Sequence, residues 1–164
     1  MRIGILSDSH DRTGSLQSAI NWLVNNSIDT LFHCGDVTSL ETARVMAGLR
    51  VHYVYGNGDF AANTIRDMLV EANHESTGGP VFSGELEGLA IAATHGHLPG
   101  SLFSLITSRK YDFVFFGHTH VQKDLRVHGT HVINPGALGS SRYDGRTLCI
   151  VDLNSGQIEY PLFE

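Results

Sequence analysis

The sequence predicts an α/β protein built on two β-sheets packed face to face, with helices outside. Two patterns point there. In the first half, short apolar runs alternate with helical periodicity, the βαβ order that gives parallel strands and right-handed crossovers. In the second half, short strands separated by tight turns predict mostly antiparallel pairing. The bulk agrees: 164 residues, 41% hydrophobic and 17% charged, suit one domain with a sizeable core. Residues 1–164 therefore read as a single domain.

The first strand is expected at Arg2–Leu6. Leu16, Ala19, Ile20, Leu23 and Val24 then follow helical spacing, with Thr13 or Ser15 as the expected N-cap. Thr30–Cys34 is the second strand, and Leu40, Ala43, Met46 and Ala47 mark a second helix capped by Ser39. Val51–Tyr55 is the third strand, and Ile65, Met68 and Leu69 mark a third helix. Further on, Val81–Phe82 and Leu89–Thr94 pair around Glu87-Gly88. A helix covers Ser101–Ser108, and Phe113–Phe116 is a buried strand. Leu125–Val127, His131–Ile133, Leu148–Leu153 and Ile158–Pro161 read as hairpin strands, with turns at His128-Gly129 and Asn154-Ser155-Gly156.

Composition narrows the function classes. The chain enters a strand directly, which predicts no signal peptide, and no apolar run nears the roughly 20 residues of a membrane span. Cys34 and Cys149 lie in apolar segments and read as reduced core thiols of a cytoplasmic protein. The formal net charge of −6 opposes binding to nucleic acid backbones. An acidic protein that handles an anionic substrate needs a local positive centre, which bound metal ions supply. Histidine stands out at 10 residues, several of them in short motifs.

Five motifs each follow an apolar strand: Asp8-Ser9-His10, Gly35-Asp36, Gly56-Asn57-Gly58-Asp59, His95-Gly96-His97 and Gly117-His118-Thr119-His120. Strand carboxyl ends converge on one crevice in parallel α/β sheets. Asp offers a hard carboxylate, His an imidazole nitrogen and Asn a carbonyl oxygen, all lone-pair donors for a cation. Asp8/His10 and His118/His120 have the spacing that puts both side chains on one side of an extended segment. The glycines at 35, 56, 96 and 117 permit tight turns and close approach. Taken singly Asp-x-His and Gly-Asp are ordinary and Gly-Asn-Gly-Asp reads as a type I′ turn, while His-Gly-His and Gly-His-Thr-His are harder to dismiss. Five together at strand ends point to metal chemistry. His33, His52, His74, His128 and His131 lack this context and are assigned to core or surface.

In order and spacing these motifs resemble the calcineurin-like metallophosphoesterase family, and the short chain resembles its small bacterial and archaeal phosphodiesterase subgroup. The resemblance implies a four-layer αββα sandwich of two mixed β-sheets flanked by helices. It implies two divalent transition metal ions, manganese first, with iron, nickel, cobalt or zinc as alternatives. Asp8, His10, Asp36 and His120 would hold one ion. Asp36, Asn57, His95 and His118 would hold the other, with Asp36 shared. Asp36, Asn57, Asp59 and His97 would form the catalytic set, the last two by orienting ligands. The implied reaction is hydrolysis of a small phosphodiester by in-line attack of a metal-bridging hydroxide. Asn134-Pro135-Gly136 resembles a subgroup loop, and Arg142 is a candidate phosphate contact. Many family members carry a histidine where this chain has Gly58, which puts the general acid in doubt. Phosphomonoester hydrolysis, phosphoprotein hydrolysis and a non-catalytic scaffold are the alternatives. No specific nucleic acid, no membrane and a small phosphoester substrate are expected, and a homo-oligomer is left open.

Overall fold

The computed structural model describes residues 1–139 and 147–162. The apolar runs of the first half become β1 (Arg2–Leu6), β2 (Thr30–His33) and β3 (Arg50–Val54), paired in parallel. Between them lie α1 (Thr13–Asn25) and the short α2 (Leu40–Ala43), which runs on into a 3-10 turn at Arg44–Met46. After β3 comes α3 (Ala62–Ala72). Ser39 caps α2 as expected, its Oγ accepting from the Thr42 amide at 3.3 Å. The expected cap of α1 is corrected. Arg12 occupies the N-cap position without a side-chain hydrogen bond, and Thr13 Oγ1 instead pairs with Thr42 Oγ1.

β4 (Thr77–Gly79) adds a further parallel strand beside β3 that no apolar pattern announces. The second sheet holds β5 (Val81–Leu86), β6 (Leu89–Thr94), β7 (Phe113–Phe116), β8 (Lys123–Val127) and β9 (Thr130–Asn134). Its order is β5-β6-β7-β9-β8. The mostly antiparallel expectation is corrected here. β6, β7 and β9 run parallel, and only the two edge pairs are antiparallel. α4 (Ser101–Thr107) makes the crossover from β6 to β7. The chain then returns to the first sheet as β10 (Cys149–Asp152) and β11 (Ile158–Glu159), antiparallel to β1 and β10 in turn. Both sheets are therefore mixed.

Two apolar layers follow from this order. Ile3, Ile5, Phe32 and Val54 of one sheet meet Ile91, Ala93, Phe113, Phe115 and Ile133 of the other. Phe32 and Phe115 pack edge to face with centroids 5.1 Å apart, worth about 1 kcal/mol beyond burial. On the other face of the first sheet, Leu31, Val51 and Tyr53 pack against Leu16, Leu23, Ile65 and Leu69 of the helices. The layers thus read helix, sheet, sheet, helix, the last being α4 against β6 and β7. Cys34 and Cys149 are free and buried, as expected. Burial raises the Cys34 thiol pKa well above its ordinary value and pushes Cys149 up to about 12, so both stay protonated. Among the described residues no helix is long and apolar enough to cross a membrane.

Candidate metal centre

The carboxyl ends of β1, β2 and β3 meet those of β6 and β7 at one edge of the sandwich. Backbone hydrogen bonds lash the loops there together. Asp8 N donates to Gly35 O at 2.9 Å, His10 N to Asp36 O at 3.0 Å and Gly117 N to His95 O at 3.1 Å. Asp8, His10, Asp36, His118 and His120 all have left-handed backbone, with φ of 54°, 44°, 58°, 64° and 59°. Such conformations cost of order 1–3 kcal/mol each and cluster at functional sites. The Asp8/His10 and His118/His120 pairs are therefore not extended, which corrects the sequence expectation. Asp8 and His10 still converge, through left-handed turns, and His120 joins them, whereas His118 does not.

Two groups of donor atoms result. In the first, Asp8, His10 and His120 bring one ligand atom each within 4.8 Å of one another. His120 Nε2 lies 3.1 Å from Asp8 Oδ1 and 3.2 Å from His10 Nε2. Asp8 Oδ2 accepts from the His118 amide at 3.0 Å and from the Ser7 hydroxyl. Asp8 Oδ1, by contrast, is buried with no hydrogen-bond partner. A buried orphan carboxylate oxygen is costly without a cation.

The second group joins Asp8, Asp36 and His95. His95 Nδ1 donates to the Cys34 carbonyl at 2.6 Å, which leaves Nε2 as a lone pair. That lone pair faces Asn57 Oδ1 at 3.2 Å and Asp36 Oδ1 at 3.6 Å. Acceptors facing acceptors fit a cation between them. Asp8 is common to both groups, and Asp36 reaches from the second toward the first: Oδ1 takes the Gly58 amide at 2.7 Å and faces His95, while Oδ2 lies 4.0 Å from His10 Nε2. His118 meets His95 edge to face, ring centroids 5.0 Å apart, but its ring is outside both compact groups.

Asp59 and His97 fall where the sequence puts them, beside the donors. Asp59 Oδ2 accepts from Asp36 N at 2.9 Å and Gly56 N at 2.8 Å, and Oδ1 from Thr38 N at 2.8 Å. One carboxylate so ties the loop after β2 to the loop after β3. The buried Tyr53 hydroxyl lies against it, and burial pushes that phenol well above its ordinary range. His97 sits 5.3 Å from the His95 ring, its buried Nδ1 unpartnered. Partial burial and then the neighbouring imidazoles of His95 and His118 hold its pKa down.

Gly56 and Gly117 make room for these carboxylates. A Cβ on Gly56 would overlap Asp36 Oδ1 and stand 2.8 Å from Asp36 Cγ. One on Gly117 would overlap the Ser7 hydroxyl and stand 2.9 Å from Asp8 Oδ2. Neither Asn57 nor Gly58 has left-handed φ, so the type I′ turn that Gly-Asn-Gly-Asp suggests when read alone does not form.

Two residues outside the motif list matter. Asn134, fully buried, donates to Gly117 O at 2.8 Å and to Thr119 Oγ1 at 3.1 Å. It holds the loop after β7, and its full burial leaves it no access to a substrate. His33 Nε2 lies 3.1 Å from Ser9 Oγ beneath the first group. Arg142 lies outside the described residues.

A family model described as the calcineurin-like phosphoesterase superfamily domain matches residues 1–156. The chain belongs to the calcineurin-like phosphoesterase superfamily. Among relatives, a phosphodiesterase of Methanocaldococcus jannaschii is 35% identical over 138 residues, 83% of each chain. A probable metallophosphoesterase of Bacillus subtilis is 31% identical over 144 residues, 84% of this chain and 75% of the other. A solved structure of a novel archaeal phosphodiesterase aligns over the whole of both chains at 31% identity with a TM-score of 0.93. This calcineurin-like phosphoesterase is thus a metal-dependent phosphoesterase by family, with the sandwich the motifs implied.

Proposed function

We propose that this calcineurin-like phosphoesterase hydrolyses small phosphodiesters at a centre of two divalent transition metal ions, manganese first among them, in a cytoplasmic setting. The observation that carries this reading is the Asp36 carboxylate, directed at His95 through one oxygen and toward His10 through the other. Asp8, His10, Asp36 and His120 would hold one ion; Asp36, Asn57, His95 and His118 would hold the second. Bound there, the ions supply positive charge to the phosphoryl oxygens and acidify a water to near neutral pH. The chain's own residues do the placing. Asp59 fixes the two loops that carry Asp36 and Asn57. The Cys34 carbonyl fixes the His95 tautomer so that Nε2 faces the centre. His97 presents an imidazole beside His95 and His118, where it can orient the phosphate. The names of the relatives at 35% and 31% identity favour diesters over monoesters.

Asp36→Asn tests this directly. It keeps the shape and removes the shared negative charge. Metal content should fall at both positions and hydrolysis of a generic aryl phosphodiester should be abolished. Near-normal occupancy by two ions and normal turnover in that variant would overturn the assignment. A rate on aryl monoesters above that on diesters would overturn the substrate class alone.

A further inference from the structure

His33 ends β2 and is completely buried. A core position there needs only an apolar side chain, and an imidazole adds a desolvation cost unless its nitrogens are satisfied. One nitrogen is: Nε2 lies 3.1 Å from Ser9 Oγ, itself fully buried. The other, Nδ1, has no partner. Burial pushes the imidazole down to about 4, so near neutral pH it carries a single ring proton. On Nδ1 that proton would be a buried donor without an acceptor; on Nε2 it reaches Ser9. The network therefore assigns Nε2–H as donor to Ser9 Oγ. Ser9 sits between Asp8 and His10, whose left-handed φ values are 54° and 44°. Their side chains face the donor cluster, while Ser9 turns inward. Among the described residues the bond to His33 is the one side-chain hydrogen bond that Ser9 makes.

We propose that His33 is a positioning residue for the first metal position: through Nε2–H and the Ser9 hydroxyl it holds the Asp8-Ser9-His10 turn in the shape that aims Asp8 and His10 at one point. This rests on the two-metal reading above. Partners one step removed from the ligands set ligand orientation, and losing one costs about 10–100-fold in metal affinity.

The test is calorimetric titration of the metal-free protein with Mn²⁺. The step belonging to Asp8, His10 and His120 is identified by its loss in His120→Ala. His33→Leu fills the space without a donor and should weaken that step about 10–100-fold, leaving the other step unchanged. His33→Gln carries an N–H at the matching reach and should restore it. Ser9→Ala should reproduce the loss, and the double variant should be no worse than His33→Leu alone, because one bond is broken either way. If His33→Leu does not fold, Ser9→Ala against the unsubstituted chain decides the matter. Three outcomes overturn the proposal: an unchanged first step in His33→Leu, or in Ser9→Ala where His33→Leu does not fold; equal damage from Leu and Gln; or additive losses in the double variant. A native chain with no two-step uptake overturns the two-metal reading, and this one with it. Two native steps with an indifferent His33 overturn this one alone.

Discussion

Adding one methyl group at Gly56 should do more damage to the metal centre than adding one at Gly58, two positions on. A Cβ on Gly56 overlaps the Asp36 amide and Oδ1 and stands 2.8 Å from Asp36 Cγ. That is roughly 1 Å inside the ~3.5–4.0 Å optimum of carbon atoms in contact. The intruded group cannot swing away freely, because the Gly58 amide holds Oδ1 at 2.7 Å and Asp59 holds the Asp36 amide at 2.9 Å. Overpacking of this kind costs about 1–3 kcal/mol. Here the strain falls on the Asp36 carboxylate, which faces His95 with one oxygen and His10 with the other. At Gly58 the nearest atom to an added Cβ is Asp36 Oδ1 at 3.2 Å, which needs a shift of only a few tenths of an ångström. Gly56→Ala should therefore lose affinity at both metal positions and lower the melting temperature of the metal-free chain. Gly58→Ala should bind two ions nearly as the native chain does. Side-by-side Mn²⁺ titration and thermal unfolding give the comparison. Native affinity at both positions in Gly56→Ala would refute the claim that its missing side chain makes room for Asp36.

Two further outcomes follow from the same structure. Burial, with the Arg50 charge adding to it, lowers His52 to about 4. The unfolded chain titrates that imidazole near 6.5, so it binds more protons in between. Stability is full above about 6.5 and declines as pH falls toward 4, by about 2 kcal/mol between pH 7 and 5. Urea unfolding of the metal-free chain at those two pH values should show this loss, and His52→Leu should shrink it; an equal loss in both would show that His52 is not its source. In a series of substituted aryl phosphodiesters, log rate should fall steeply with leaving-group pKa, because Gly58 offers no proton donor, and a positioned donor is worth about 10²–10⁴-fold. Gly58→His should flatten the plot; a plot already flat in the native chain would mean that another residue, His97 first, donates the proton.

Much of the site was legible because residue type carries it. Asp, Asn and His at strand ends are unusual enough in sequence to be found without knowing how they meet. The parallel strands β1 to β3 were legible because each is an apolar run of fitting length. β4 was not, because Thr77 is the one residue of Thr77-Gly78-Gly79 whose side chain favours a strand, and the segment pairs along the edge of β3. The direction of β7 against β6 and β9 was hidden for a similar reason. Short strands between turns look alike whether a neighbour in sequence or a distant strand pairs with them, and the helix that the sequence does predict at Ser101–Ser108 has no buried residue to mark it as a crossover. His33 and Asn134 were missed as supports because their roles depend on partners 24 and 17 positions away, Ser9 and Gly117.

The spacing Asp-x-His predicted the meeting of Asp8 and His10 for the wrong reason, and His-x-His did not bring His118 into the group that His120 joins. A pleat would put both side chains on one side by alternation, but both pairs instead have left-handed backbone. Among residues with a Cβ, Asp, Asn and His are the ones most enriched there. The demands of coordination and of backbone shape therefore select the same residue types. A turn that closes in three residues needs left-handed φ, and a cation needs oxygen or imidazole lone pairs; Asp8, His10, Asp36, His118 and His120 meet both at once. Val or Ile at any of these five positions would lose the lone-pair donor and also force a branched side chain into a conformation it rarely adopts. Beside Asp36 and His95 glycine shares the bending, at Gly35 with φ of 93° and Gly96 with φ of 101°. Gly56 and Gly117 are left for another task, the close passage of one loop against the carboxylate of the next.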